Sequence, residues 1–449
     1  MNSDLNQAKP VNPKPVRKSD RGIDSVDVLV FLIPCVQFIQ VNVVGVLNGS
    51  DILLLATFAY LAFYGRIRIA SPAGKRFVVL CLVYLFSQCV TDIVRHTVFA
   101  DYARGWSNIG FTIVNFAVLS MLLYGRPKRL MIYAGGLAVG TLLTLLITPS
   151  ENMKDDPWKF GIAYPVCWIV MLFASRKGCG SYEQVLLCVI AGVVNVVMGS
   201  RGVGGFCLAV ALYLLLMRRI SRKGVRVAKW KASSIIALAA ALILGAAGIF
   251  WAYGYAAGTG ILGEEARKKY EAQASGRFGV LLGGRSELLS SIPAIYDSPI
   301  LGHGSWAKDP KYLIIQRQAL AMLGYQDAGD VGDEEVKSGV IPTHSYILGA
   351  WVNAGILGAL FWGWVFVLTA KMLLRVYPTN FRLLPLASFA AVTMLWDILF
   401  SPYGLQQRII SPYYVVLLMS IMDAAARQPA ARQAASATRG ILRSRLKTA

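Results

Sequence analysis

Apolar runs long enough to cross a bilayer follow one another along almost the whole chain, and a soluble fold has no way to hide that much apolar surface. A hydrocarbon core needs about 20 apolar residues per spanning helix. Composition agrees: 56% of the 449 residues are hydrophobic and only 15% are charged, against about 25% in soluble domains, and the mean hydropathy is +0.53. About twelve spans are expected, at 27–46, 51–64, 77–94, 108–124, 130–147, 159–175, 184–199, 202–217, 233–254, 345–369, 384–400 and 409–422. The shorter ones fit by tilt or local thinning of the bilayer.

The chain carries 45 Lys+Arg against 24 Asp+Glu, a net +21. In a soluble protein that excess would suggest nucleic acid; here it sits mostly in short loops, where it sets orientation, and no nucleic-acid partner is expected. Basic residues cluster at Arg66, Arg68, Lys75 and Arg76, at Arg126, Lys128 and Arg129, at Arg176 and Lys177, at Arg218 to Lys231, and at Lys371, Arg375 and Arg382. The intervening loops are poor in them: 148–158 has Glu151, Asp155 and Asp156 against Lys154. Positive charge inside at alternate turns puts both termini in the cytoplasm and the 255–344 loop outside.

The expected fold is therefore an all-α integral membrane protein with one large, partly helical periplasmic loop. Residues 1–26 form a disordered cytoplasmic tail, 27–254 carry helices one to nine, 255–344 the loop, 345–422 helices ten to twelve, and 423–449 a basic cytoplasmic tail. The first apolar run is too long for a signal-peptide core and lacks a small-residue cleavage site, so it reads as a retained helix. Seven cysteines lie in or beside apolar segments without CxxC or Cys/His spacing, so they read as small buried residues and neither a disulfide framework nor a metal site is expected. Gly136 and Gly140, and Gly202, Gly204 and Gly205, read as points of close helix packing.

Inside the loop, GEEARKKYEAQA reads as a short helix, 285–296 as an amphipathic helix stopped by Asp297, Ser298 and Pro299, and 311–325 as a second amphipathic helix along the membrane surface. Three residues carry the strongest chemical expectations. Arg201, in MGSRGVGG, is a charge at the junction of two apolar runs, functional by default at that depth unless it snorkels to the interface. Arg285 opens the amphipathic helix beside Gly283 and Gly284, where a guanidinium and free N–H groups suit a phosphate; a surface salt bridge to Glu287 is the plainer reading. His344, where the polar loop meets the tenth span, is placed to accept or position a hydroxyl proton.

Other residues invite plainer explanations. His303, in GHGSW, reads as a turn residue. Asp92, Arg95 and Arg104 either join an anion site or pair with one another, and Asp397 is a further charge in an apolar run. The acidic run Asp327, Asp330, Asp333, Glu334 and Glu335 reads as solvated loop. No P-loop, HExxH, GxSxG or DxD pattern is present, so a donor that is already activated fits better than one needing bound nucleotide and metal.

GRSELLSSIPAIYDSPILGHGSW followed by PTHSYILGAWVNAGILG, with the upstream SRG at Ser200–Gly202, resembles the signature region of the O-antigen ligase and O-antigen polymerase superfamily. The likeness covers about 185–365 well and the earlier residues by topology alone. The family commonly has His-Asn where this chain has His344-Ser345, and the 306–341 insert looks variable. The resemblance implies a GT-C membrane glycosyltransferase of the bacterial inner membrane. It would transfer a glycan from an undecaprenyl (polyprenyl) diphosphate to a hydroxyl of lipid A core or of a growing glycan, in lipopolysaccharide or exopolysaccharide assembly. Arg201 and Arg285 would bind the diphosphate, with Arg104 and Arg95 as additional binding residues, and His344 would serve the acceptor hydroxyl. No metal and no cofactor are implied. The implied partners are the lipid-linked donor, the acceptor, the bilayer and other polysaccharide-assembly proteins.

Polymerase and ligase share this donor and anion site and stay open, with DYARGWSNI leaning toward polymerase. A transporter or flippase for an anionic or lipid-linked substrate suits about twelve spans and intramembrane arginines. No internal repeat and one lopsided loop of about ninety residues count against it. A purely structural scaffold would leave the arginines unexplained.

Overall fold

Helices begin where short polar side chains precede the apolar runs. The computed structural model describes residues 24–176, 178–222, 248, 251, 254–261, 263–279, 285–325, 339–375, 377 and 381–447. Asp24 and Asp27 close a capping box at the start of α1 (Ser25–Cys35), which ends in a 3-10 turn, Val36–Phe38. Next come a hairpin, β1 (Gln40–Asn42) and β2 (Val46–Asn48), and α2 (Gly49–Phe63). Ser71 caps α3 (Pro72–Val94), whose Pro72 sits at the helix start where its missing N–H costs nothing. α4 (Phe99–Leu123), α5 (Pro127–Ile147), the short α6 (Glu151–Asp155), a π turn at Trp158–Ile162, α7 (Ala163–Ala174), α8 (Ser181–Val197) and α9 (Arg201–Arg222) follow. The loop region holds α10 (Glu264–Ala274), α11 (Leu288–Asp297) and α12 (Pro310–Met322). α13 (Tyr346–Leu373), α14 (Leu384–Phe400) and α15 (Gln407–Lys447) complete the chain.

Among the described residues the protein is all-α apart from that hairpin, and six of the helices described are long and apolar enough to cross a membrane: α3, α4, α5, α9, α13 and the first 21 residues of α15. Five shorter apolar helices, Ser25–Phe38, Gly49–Phe63, Trp158–Ala174, Ser181–Val197 and Leu384–Phe400, coincide with other expected segments. Most of the expected ninth span at 233–254, the acidic run from Asp327 to Glu335 and most of the N-terminal tail lie outside the described residues.

Packing follows the small residues. A Cβ at Gly136 would sit 2.5 Å from Phe31 O, and one at Gly140 2.1 Å from Pro34 O, so α5 lies directly on the α1 backbone. Gly192 and Gly204 do the same between α8 and α9. The α15 stretch Gln407–Arg427 is 72% buried against 39% for α3, which makes it the central helix of the bundle. At one end of the bundle Tyr124 bonds Asp423, Arg382 Nε donates to Ser175 O (2.8 Å) and Arg375 to Met422 O (3.3 Å). The opposite end gathers the hairpin, the α3–α4 turn, the start of α9, the loop helices and the α14–α15 turn.

Two departures from the sequence expectation have physical causes. The first span was expected to continue to 46. Instead α1 stops early, because QVNVVGVLN is rich in β-branched residues and contains Gly45, a sequence that favours a hairpin. The tenth span is broken: Gly355 (φ 68°, ψ −162°) interrupts α13. Here the segment Pro299–Trp306 docks. A Cβ on Gly355 would lie 1.8 Å from Ile300 O, so glycine is obligatory. The carbonyls freed by the break find donors: His303 N to Val352 O (2.7 Å), Gly304 N to Asn353 O (3.0 Å) and Ser87 Oγ to Ala354 O (2.7 Å). Below this seam Ala294, Ala307, Tyr312, Ile341 and Val352 form a small apolar core that fixes the loop to α13.

Candidate active site

Ser345 Oγ accepts from Leu348 N (3.2 Å) to cap α13 and donates to Ile398 O (2.8 Å) on α14. That double role holds the preceding residue, His344, at the mouth of the bundle. Ser290 Oγ donates to Pro342 O (3.2 Å), drawing the start of α11 to the same place. His344 Nδ1 then lies 3.2 Å from Glu287 Oε1, with the imidazole 48% exposed and the carboxylate 23%. Arg285, in the turn before α11, stacks on two α14 rings, its guanidinium carbon 5.3 Å from the centroids of both Trp396 and Phe400. At that distance the rings attract the cation through their π-faces, and a guanidinium has five N–H donors with which to meet an anion. Burial lowers the proton affinity of Arg285 and the Glu287 charge raises it, and an arginine remains charged throughout.

Arg201 reaches this end by a different element. It opens α9, with Gly199 (φ 84°) making the turn before it. Phe206, one and a half turns on, contacts the Trp396 ring at 5.6 Å between centroids. Five helical residues rise about 7.5 Å. Arg201, Trp396, Arg285, Glu287 and His344 therefore belong to one end of the molecule, with Trp396 as the link between the arginines' elements.

Several expectations need correcting. Arg285 does not open a helix: α11 starts three residues later, at Leu288. Glu287 pairs with His344 instead of forming a surface bridge to Arg285. Arg95 is engaged by the loop: its Nε donates to Gly302 O (3.1 Å) and its terminal nitrogen to Ser298 Oγ (2.8 Å), pinning the docking turn. Asp92 is equally structural, accepting from Ser305 N (2.6 Å), Ser305 Oγ (2.7 Å) and Trp106 Nε1 (2.8 Å). Arg104 lies elsewhere, in a groove beside the hairpin, where its Nε donates to Val44 O (2.7 Å). His303 is the turn residue it was read as, flanked by Gly302 and Gly304 at positive φ, with Nε2–H given to Ala294 O (2.7 Å). Asp397 accepts from Ser401 Oγ (2.7 Å).

Glu287, Trp396 and Phe400 were missed as site residues. Glu287 stood in plain view two positions after Arg285. Nothing in sequence spacing joins it to a histidine 57 residues later. By sequence, no protein-family model matches the chain and no curated protein matches it. The chemistry of the site accordingly rests on its geometry.

Proposed function

We propose that the chain is a metal-independent membrane glycosyltransferase that moves a glycan from a polyprenyl diphosphate to an acceptor hydroxyl, working at the periplasmic face of a bundle of about twelve spans. The observation that carries this reading is the His344–Glu287 pair at 3.2 Å beside a stacked arginine. With Nδ1–H given to Glu287, His344 keeps the Nε2 lone pair for a hydroxyl proton, and the carboxylate supports the imidazolium that forms. The acceptor oxygen attacks the anomeric carbon, the bond from that carbon to the diphosphate oxygen breaks, and the electron pair leaves with the diphosphate. Arg285 and Arg201 neutralise the charge that grows there. A sugar already on a diphosphate needs no further activation, which fits the absent nucleotide and metal motifs in the sequence.

A transporter is the second reading, supported by the broken helix α13, a device that transporters use at their binding sites. Here, however, the carbonyls at the break are satisfied by the Pro299–Trp306 segment and by Ser87 of α3, which favours a fixed seam. The test is complementation of a deletion strain with Arg201→Ala, Arg285→Ala and His344→Ala at matched membrane levels, with Arg267→Ala in the exposed helix α10 as control. Loss of long or attached surface glycan in the three variants and not in the control supports transfer. Wild-type glycan in all three refutes it. The banding of the residual glycan separates polymerase from ligase.

A further inference from the structure

A groove of about 690 Å³ whose lining does not include Arg285 lies between the hairpin, α4, Trp306 and the start of α15. We infer that it is a second ligand site, for a lipid bearing a phosphate headgroup. Its walls are mainly apolar, from Val43, Val46, Leu47, Phe111 and Leu405. The tip of the hairpin projects from the protein, with Val43 70% exposed and Val46 37%. An apolar chain, and not a sugar, is what such a wall accommodates.

The charge at the groove is uneven. Arg408 is buried and spent on Asp51, at 2.6 Å, with its guanidinium over Phe111. Asp101 is taken by Lys308 at 2.5 Å and is only a distant partner for Arg104, at 3.8 Å. Among the described residues, Arg408, Lys308 and Arg104 thus share two carboxylates, Asp51 and Asp101, and Arg104, 43% exposed, is the least tightly paired of the three. Trp306 is held at φ 49°, a conformation that costs a bulky residue energy, and its indole forms part of the wall while staying 39% exposed. A half-exposed indole beside a guanidinium whose Nε is fixed on Val44 O (2.7 Å), next to an apolar channel, matches a headgroup phosphate with its chain alongside.

The groove also backs onto the candidate active site. Gly404 lines it, and the adjacent Tyr403 packs on Tyr346 at 5.0 Å, two residues after His344. The inference concerns binding alone and holds whether or not transfer occurs.

Native mass spectrometry of the purified full chain tests it, with decaprenyl phosphate, phosphatidylglycerol and neutral diacylglycerol as probes. Wild type should retain a phosphorylated lipid. Arg104→Gln, and Gly45→Phe, whose ring would enter the groove beside Arg104, should each lower retention at least about tenfold, with melting temperatures checked first. Retention of decaprenyl phosphate alone identifies a prenyl carrier, and retention of phosphatidylglycerol as well identifies bulk lipid; both support the site. Equal retention of diacylglycerol, displacement by inorganic phosphate at equal concentration, or retention unchanged in a folded Arg104→Gln protein overturns it.

Discussion

At the scale of residues, the site turns on one contact that was not legible in the sequence. Arg201, Arg285 and His344 stand out one at a time, because a charge or a histidine beside an apolar run needs an explanation. Their partners do not stand out, since contacts such as Glu287 with His344, or Arg285 with Trp396, join residues far apart in the chain. If Glu287 orients and supports the imidazole, Glu287→Gln lowers turnover on the order of 10²-fold and His344→Ala on the order of 10³-fold. The double variant is then no slower than His344→Ala, because residues that act as a unit are not additive. Turnover of the three proteins at matched folded concentration checks it; losses that multiply would separate the two residues' roles. Arg95 and Arg104 show the converse difficulty, since residue type alone tells neither that Arg95 pins the docking turn nor that Arg104 lies in a separate groove beside the hairpin.

At the scale of elements, caps and apolar runs gave most helix starts, and the two amphipathic segments of the loop are helices close to where periodicity put them. The break in α13 was hidden, because NAGILG has the apolar character of a continuous span. Only the docking of Ile300 against Gly355 exposes it. Gly355→Ala should destabilise the protein by roughly 3 kcal/mol through the clash and the positive φ. A fall in melting temperature, with faster proteolysis of the Pro299–Trp306 segment, checks it. The loop also has a pH limit. Tyr312 Oη donates to Asp297 (2.7 Å) and Lys311 pairs with it (2.9 Å), and these bonds, the tyrosine's foremost, hold the carboxyl below its usual range. A carboxylate with a depressed folded pKa stabilises above its unfolded value, about 3.9, and the contribution disappears as pH falls through the lower folded one. Attachment of α12 to α11 is therefore constant from neutral pH to about pH 4 and weakens below, and Asp297→Asn removes that dependence in a pH-resolved proteolysis assay.

For the whole molecule, the helical membrane character was plain from composition, whereas the arrangement of helices around α15 was not, since many apolar faces look alike in sequence. What specifies the arrangement is a few buried polar ties, chief among them Arg408 on Asp51, which is fully buried. Removing one partner leaves an uncompensated charge, so Arg408→Ala should cost about 3–5 kcal/mol. The apolar pair Asp51→Leu with Arg408→Met should recover much of it, as read by thermal unfolding in detergent.

The central claim is that this end of the bundle performs transfer with His344 as base. Its most direct measurement is single-turnover transfer by the reconstituted full chain, with a polyprenyl-diphosphate glycan as donor, read alongside donor binding. The account predicts that His344→Ala binds donor like wild type but transfers on the order of 10³-fold more slowly, while Arg285→Ala loses donor binding as well. Transfer by His344→Ala at the wild-type rate would contradict it.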